Sequence, residues 1–163
     1  QNCVETGIEG PYELVYHNTV KNTGENSVAR YTGSTEAIYI KPTTEFEQKY
    51  IGNTIETRGL RCFSSYSNRD DEYKGIYILN NSMNLKNTDA SIACNYSRSD
   101  IEINCKKIKK IVIENNSGMM KDKKSVNIYT DKGYVMDYLS IHNPCMIGSV
   151  PEKARYCFNI NNN

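Results

Sequence analysis

The sequence predicts an all-β protein: a two-sheet β-sandwich held by disulfides, with a few short helical turns. Three observations lead there. Short apolar-aromatic runs recur between turn signals, several of them alternate in period two as strands with one buried face do, and no segment sustains a helical period. Six cysteines spread along the chain supply the staples.

The elements follow in order. Residues 12–16 read as a first strand, ended by the polar stretch 18–26, and residues 36–40 as a second, stopped by Pro42. Residues 46–51 fit a third strand or a single helical turn. Residues 54–63 form a fourth, with Gly59 hinting at a bulge. Residues 75–79, 90–96, 100–105 and 108–114 continue the series. The clearest local signal is the pair 125–130 and 134–139, both alternating in period two and joined by Asp131-Lys132-Gly133. That spacing predicts a β-hairpin with Gly133 at positive φ. Residues 155–160 close the chain as a last strand. No internal repeat and no linker stand out, so residues 1–163 read as a single domain.

Composition narrows the function classes. Twenty basic and nineteen acidic residues nearly cancel, leaving a net charge of +1 without the basic excess of a nucleic-acid binder. No apolar run approaches the roughly 18 residues of a membrane span. There is no Trp, only 3 Phe, but 13 Tyr, a residue suited to pleated surfaces and rigid contact faces. The abundance of Asn, Lys and Ile fits an AT-rich genome.

The cysteines are Cys3, Cys62, Cys94, Cys105, Cys145 and Cys157. None forms a CxxC pair, so zinc-ribbon and thioredoxin-like sites lack their spacing. Three disulfides in an oxidising compartment are the expectation, with fifteen pairings open. Sequons at Asn80, Asn95 and Asn115 agree with secretion and N-glycosylation. The chain begins without Met or a signal peptide, as a mature or excised fragment does.

No constellation for catalysis emerges. The two histidines are His17 and His142, and His142 lies three residues before Cys145. A Cys–His nucleophile needs a free thiol, whereas Cys145 is expected in a bridge. GxSxG, P-loop, GxGxxG and HExxH motifs are missing, so no catalytic residue, metal ligand or cofactor is assigned, and the chain reads as a non-enzyme. Charge is instead clustered. Glu45 and Glu47 would share one strand face, and Asp70-Asp71-Glu72 form a second acidic group. Lys106, Lys107, Lys109 and Lys110 form one basic cluster and Lys121, Lys123 and Lys124 another. Lysines on a strand edge discourage pairing with other chains, and they also suit attachment to sulfated polysaccharide.

The six-Cys layout, the composition, the segment Val126 to Cys145 and the closing Tyr156-Cys157-Phe158-Asn159-Ile160 resemble the poxvirus immune-evasion fold. The likeness is to its chemokine-binding branch, the SECRET-type domain found at the C-terminus of viral tumour-necrosis-factor receptor homologues and as free-standing secreted proteins. The resemblance implies a disulfide-stitched sandwich and a secreted viral decoy that binds host chemokines and blocks receptor engagement. Capture of another host immune protein, a cytokine or a class I histocompatibility molecule, is the alternative on the same fold. Chemokines are basic, so the implied contact residues are the acids Glu45, Glu47, Glu56, Asp70, Asp71 and Glu72. The long acidic loop of the larger relatives has only Asp70-Asp71-Glu72 as its counterpart here.

Overall fold

The structure, a computed structural model, describes residues 6–23, 36–57, 59–85, 99–119, 125–143 and 158–162. Among these, all regular structure is strand: β1 (Ile8–Gly10), β2 (Leu14–Tyr16), β3 (Thr19–Thr23), β4 (Glu36–Ile40), β5 (Glu47–Ile51), β6 (Thr54–Thr57), β7 (Arg61–Tyr73), β8 (Gly75–Leu79), β9 (Ser82–Leu85), β10 (Ser99–Ile108), β11 (Lys110–Glu114), β12 (Val126–Thr130), β13 (Tyr138–His142) and β14 (Phe158–Asn162). They build three sheets. Sheet A runs β1-β4-β7-β10-β12-β14, sheet B runs β13-β11-β8-β5-β2, and sheet C runs β3-β6-β9. Pairing in all three is parallel.

The order of the strands explains the arrangement. The chain visits A, B and C in turn, then returns to A one rung further on. The result is a β-solenoid, with each coil stacked on the one before. The strands alternate core-facing and solvent-facing residues as the sequence predicts, but the buried face is the inside of a coil. Core residues therefore stack in columns. Val15, Tyr50, Ile78 and Ile113 align in sheet B. Ile38, Phe63, Ile101 and Val126 align in sheet A, and Val20, Ile55 and Met83 in sheet C. All of these are buried.

The corner between sheets B and C repeats with little change. A residue at positive φ comes first: His17 (φ 51°), Gly52 (64°), Asn80 (55°) and Asn115 (55°). Glycine and asparagine enter this region most readily. At Gly52 a side chain would also meet the His17 ring, 2.3 Å from Cδ2. An asparagine follows each time, and Asn18, Asn53, Asn81, Asn116 and Asn143 form a ladder. The Asn81 Oδ1 accepts from the Asn53 N–H and Nδ2, both at 2.9 Å. The Asn81 Nδ2 donates to the Tyr50 carbonyl and to Asn116 Oδ1, again at 2.9 Å. Asn53 repeats the pattern toward Val15, Asn116 toward Ile78, and Asn143 toward Ile113. The sharp corner leaves peptide groups pointing inward without ladder partners, and the amides satisfy them.

Several sequence expectations change accordingly. The protein is all-β, but three parallel sheets stand where a two-sheet sandwich was expected. The expected hairpin does not form. Asp131-Lys132-Gly133 is a turn, with Gly133 at φ 80° and the Tyr134 N–H donating to the Asp131 carbonyl at 3.1 Å. The flanking strands, however, belong to different sheets, β12 to A and β13 to B. The expected strand 54–63 is broken at a second corner, where the Gly59 N–H bonds Thr57 Oγ1 at 2.9 Å. An internal repeat exists after all. The sequons at Asn80 and Asn115 are two of its copies, with their first asparagines exposed on neighbouring rungs.

Cys62 and Cys105 are free and buried, not bridged. Burial raises the Cys62 thiol well above its ordinary pKa and Cys105 to about 11, so both stay protonated and unreactive. They act as small core side chains. Cys3, Cys94, Cys145, Cys157, Asn95 and the expected strand 90–96 lie outside the described residues.

Two outcomes follow. Asn81→Ala strands several buried partners, each worth ~1–3 kcal/mol; chemical denaturation should show a loss on the order of 3 kcal/mol or more. Asn18→Ala, at an exposed rung, should change stability far less. Alkylation followed by peptide mass mapping should find Cys62 and Cys105 protected in the native protein and modified only after unfolding.

Candidate binding site

The corner between sheets A and B varies where the B–C corner does not. In the second coil it is the segment 41–46 between β4 and β5. Three hydrogen bonds hold it: the Lys41 N–H to the Gly10 carbonyl (3.3 Å), Gln48 Nε2 to the Lys41 carbonyl (3.1 Å) and the Lys74 N–H to the Thr43 carbonyl (3.3 Å). In the third coil, β7 overruns its neighbour. Ser67 lies opposite Cys105 and Glu72 opposite Lys107, so Asn68, Arg69, Asp70 and Asp71 all face the single residue Lys106. The surplus bulges outward. Ser67 Oγ and Tyr73 Oη, 2.5 Å apart, close its base, and Asp70 bonds Lys106 Nζ at 3.0 Å.

Between the bulge and segment 41–46 lies a cleft of about 340 Å³, lined by Lys41, Pro42, Thr43, Thr44, Tyr66, Ser67, Arg69, Asp71 and Tyr73. Tyr66 is 53% exposed. Arg69 and Asp71 are exposed, and neither forms a salt bridge among the described residues. The lining thus combines the exposed Tyr66 ring and the buried Tyr73, the hydroxyls of Thr43, Thr44 and Ser67, and three charges, of which Lys41 is paired with Glu9 while Arg69 and Asp71 are opposite in sign.

The acids marked by the sequence do not make one free patch. Glu47 pairs with Lys110, Asp70 with Lys106 and Glu72 with Lys109, each at 3.0 Å. The Tyr134 hydroxyl also donates to Glu72 at 3.3 Å. These acids are therefore offset by lysines on neighbouring coils, one rung away for Asp70 and Glu72 and two rungs away for Glu47. Bonds from these lysines hold the three carboxyls below their ordinary pKa values. A depressed folded-state pKa contributes stability above the unfolded value and loses it as pH falls, but such exposed pairs contribute little. Glu45 is exposed in the β4–β5 corner, its N–H bonded to Thr43 Oγ1 at 3.2 Å. Asp71 lines the cleft, and Glu56 sits apart from the others in sheet C.

Sheet B carries a related cluster around Tyr77. Lys49 and Lys110 flank the Tyr77 ring at 5.9 and 5.8 Å from its centre. Of the second basic cluster, Lys121, Lys123 and Lys124 lie outside the described residues. His142 is exposed at the end of β13. Among the described residues no three His, Cys, Asp or Glu side chains converge as metal ligands.

Sequence reading missed Tyr66, Arg69 and the threonines because β7 continues beyond Phe63, where the apolar run stops. The unbroken polar stretch 64–72 was the available signal.

Carboxyl-detected NMR titration checks the neutralised corner. Asp70 should titrate below the ordinary value of about 3.9 and move back toward it in Lys106→Ala. An unchanged midpoint would mean that the pair does not persist in solution.

No family model, curated protein or solved structure matches the chain.

Proposed function

We propose that the protein is a carbohydrate-binding β-solenoid whose A–B corner cleft holds a short run of sugar units. One observation carries the reading: exposed Tyr66 stands beside Arg69 and Asp71 over a polar cleft of about 340 Å³. Pockets for drug-like ligands are mostly apolar with a few polar groups, which this lining is not. A sugar offers a C–H face to stack on a ring and hydroxyls that bond both a guanidinium and a carboxylate. The cleft walls are pinned at both ends, so little ordering is needed on binding. An extracellular location, expected from the sequons, accords with such a ligand.

The chemokine-decoy expectation needs carboxylates free to steer a basic partner. Glu47, Asp70 and Glu72 are committed to lysines, which leaves that reading with less physical support. Sulfated polysaccharide draws on Lys106, Lys107, Lys109 and Lys110 and on the cluster at 121–124; of these, Lys106, Lys109 and Lys110 are paired in the same bonds.

A glycan array followed by calorimetry tests the proposal, with a chemokine panel run alongside. Tyr66→Ala and Arg69→Ala should each weaken the bound glycan about tenfold, ~1.4 kcal/mol, without lowering the melting temperature. Absence of glycan binding, or full affinity in both variants, would overturn it.

A further inference from the structure

The cleft opens onto the outer face of sheet A, and the register shows what continues from it. Phe63, Ile101, Ile103, Val126 and Ile128 point into the core, so the alternate positions face outward. Tyr66 pairs with Asn104, and Asn104 pairs with Tyr129. These three residues occupy consecutive rungs in one row, and each is at least partly exposed. Neighbouring strands lie about 4.8 Å apart, so Tyr66 and Tyr129 are separated by roughly 10 Å along the solenoid axis, with an amide side chain between them. The strands beneath are paired in parallel register at these residues, which sets the spacing.

Charge around this row is balanced. Glu9 pairs with Lys41 at 2.8 Å, Glu102 with Arg61 at 3.0 Å and Asp70 with Lys106 at 3.0 Å. Within the cleft, Arg69 and Asp71 oppose one another in sign. Among the described residues these pairs offset the charges nearest the row and leave Lys107 as the further lysine on β10, so little concentrated charge of one sign is offered to a polyanion or a polycation.

We propose that the ligand is an uncharged, extended polysaccharide running along the solenoid axis from the cleft at Tyr66, past Asn104, to a second stacking subsite at Tyr129. The inference rests on the carbohydrate reading of the cleft and adds chain length, direction and charge class to it. Two rings at fixed spacing favour a polymer whose sugar faces recur at a similar interval. A compact or branched glycan engages Tyr66 alone.

The test uses the full chain and neutral oligosaccharide ladders (cello-, xylo-, manno- and chito-series), from disaccharide to octasaccharide. Heparin and polygalacturonate serve as charged probes. In the series that binds, affinity should climb with length and then level off. Tyr129→Ala should remove that gain, bringing long oligosaccharides about tenfold down to disaccharide affinity while disaccharide binding stays unchanged. Tyr129→Phe, which keeps the ring, should retain the gain. Tyr66→Ala should weaken every length. Raising salt from about 0.1 M to about 1 M should leave the affinity within twofold, because no net charge is neutralised. A length gain that survives Tyr129→Ala, affinity independent of length, or tighter and salt-sensitive binding of the charged polymers would overturn the inference while leaving the cleft as a sugar site. Failure of every oligosaccharide to bind would overturn both.

Discussion

The asparagine ladder at the B–C corner is the constraint on which the rest of the structure depends. A parallel coil must turn sharply three times per circuit, and each turn presents peptide groups that no strand neighbour can reach. At this corner the solution recurs, an asparagine amide in each described coil, preceded in four of the five by a residue at positive φ and buried in the three inner coils. Asn53, Asn81 and Asn116 are almost fully buried, and each bonds the coils on both sides. Because each amide reads the position of its neighbour, it fixes the rung-to-rung register. A slip of one residue would turn Ile78 and Ile113 out of the core and break the amide bonds together.

Register fixed at one corner propagates to the outer surface. With Val15, Tyr50, Ile78 and Ile113 in one column, the intervening positions must form outward columns. The row of Tyr66, Asn104 and Tyr129 follows in the same way from the columns of sheet A. The A–B corner is free of such a ladder and tolerates insertions. The four-residue bulge of β7 and the segment 41–46 occupy it, and the cleft lies between them. Acidic and basic clusters distant in sequence meet at that corner because coiling places residues 70 and 72 one rung from residues 106 and 109, and residue 47 two rungs from residue 110 across Gly75. The charge pattern seen along the chain is cancelled by the fold.

Some strand positions were readable from the sequence, whereas β1, β3 and β9 were not read as strands and β13 lies at 138–142 where 134–139 was expected; strand partners were not readable. Residues 36–40 and 75–79 match β4 and β8, and Gly133 takes the positive φ its turn required. Period two reports one buried face, whether the partner runs parallel or antiparallel, and the tight link at 131–133 favoured a fold-back. The ladder repeat was present as His17-Asn18-Thr19, Gly52-Asn53-Thr54, Asn80-Asn81-Ser82, Asn115-Asn116-Ser117 and His142-Asn143-Pro144. It was hidden by uneven spacing of 35, 28, 35 and 27 residues (18 to 53, 53 to 81, 81 to 116, 116 to 143) and by the general abundance of asparagine. Two of its copies were read as glycosylation signals alone. Even cysteine number suggested bridges, whereas Cys62 and Cys105 fill core positions as thiols. Of the site, Asp71 was named for its charge, while Tyr66 and Arg69 acquire their meaning only from the bulge that sets them over the cleft.

Inter-strand nuclear Overhauser contacts distinguish parallel coiling from a fold-back most directly. In the solenoid, Ile128 packs beside Ile103 in parallel register. Cross-strand contacts between the backbones of β10 and β12 should therefore be strong, and none should link residues 126–130 to residues 134–139 as an antiparallel pair. An antiparallel ladder between those two segments would contradict the solenoid, and with it the outer row on which the ligand reading depends.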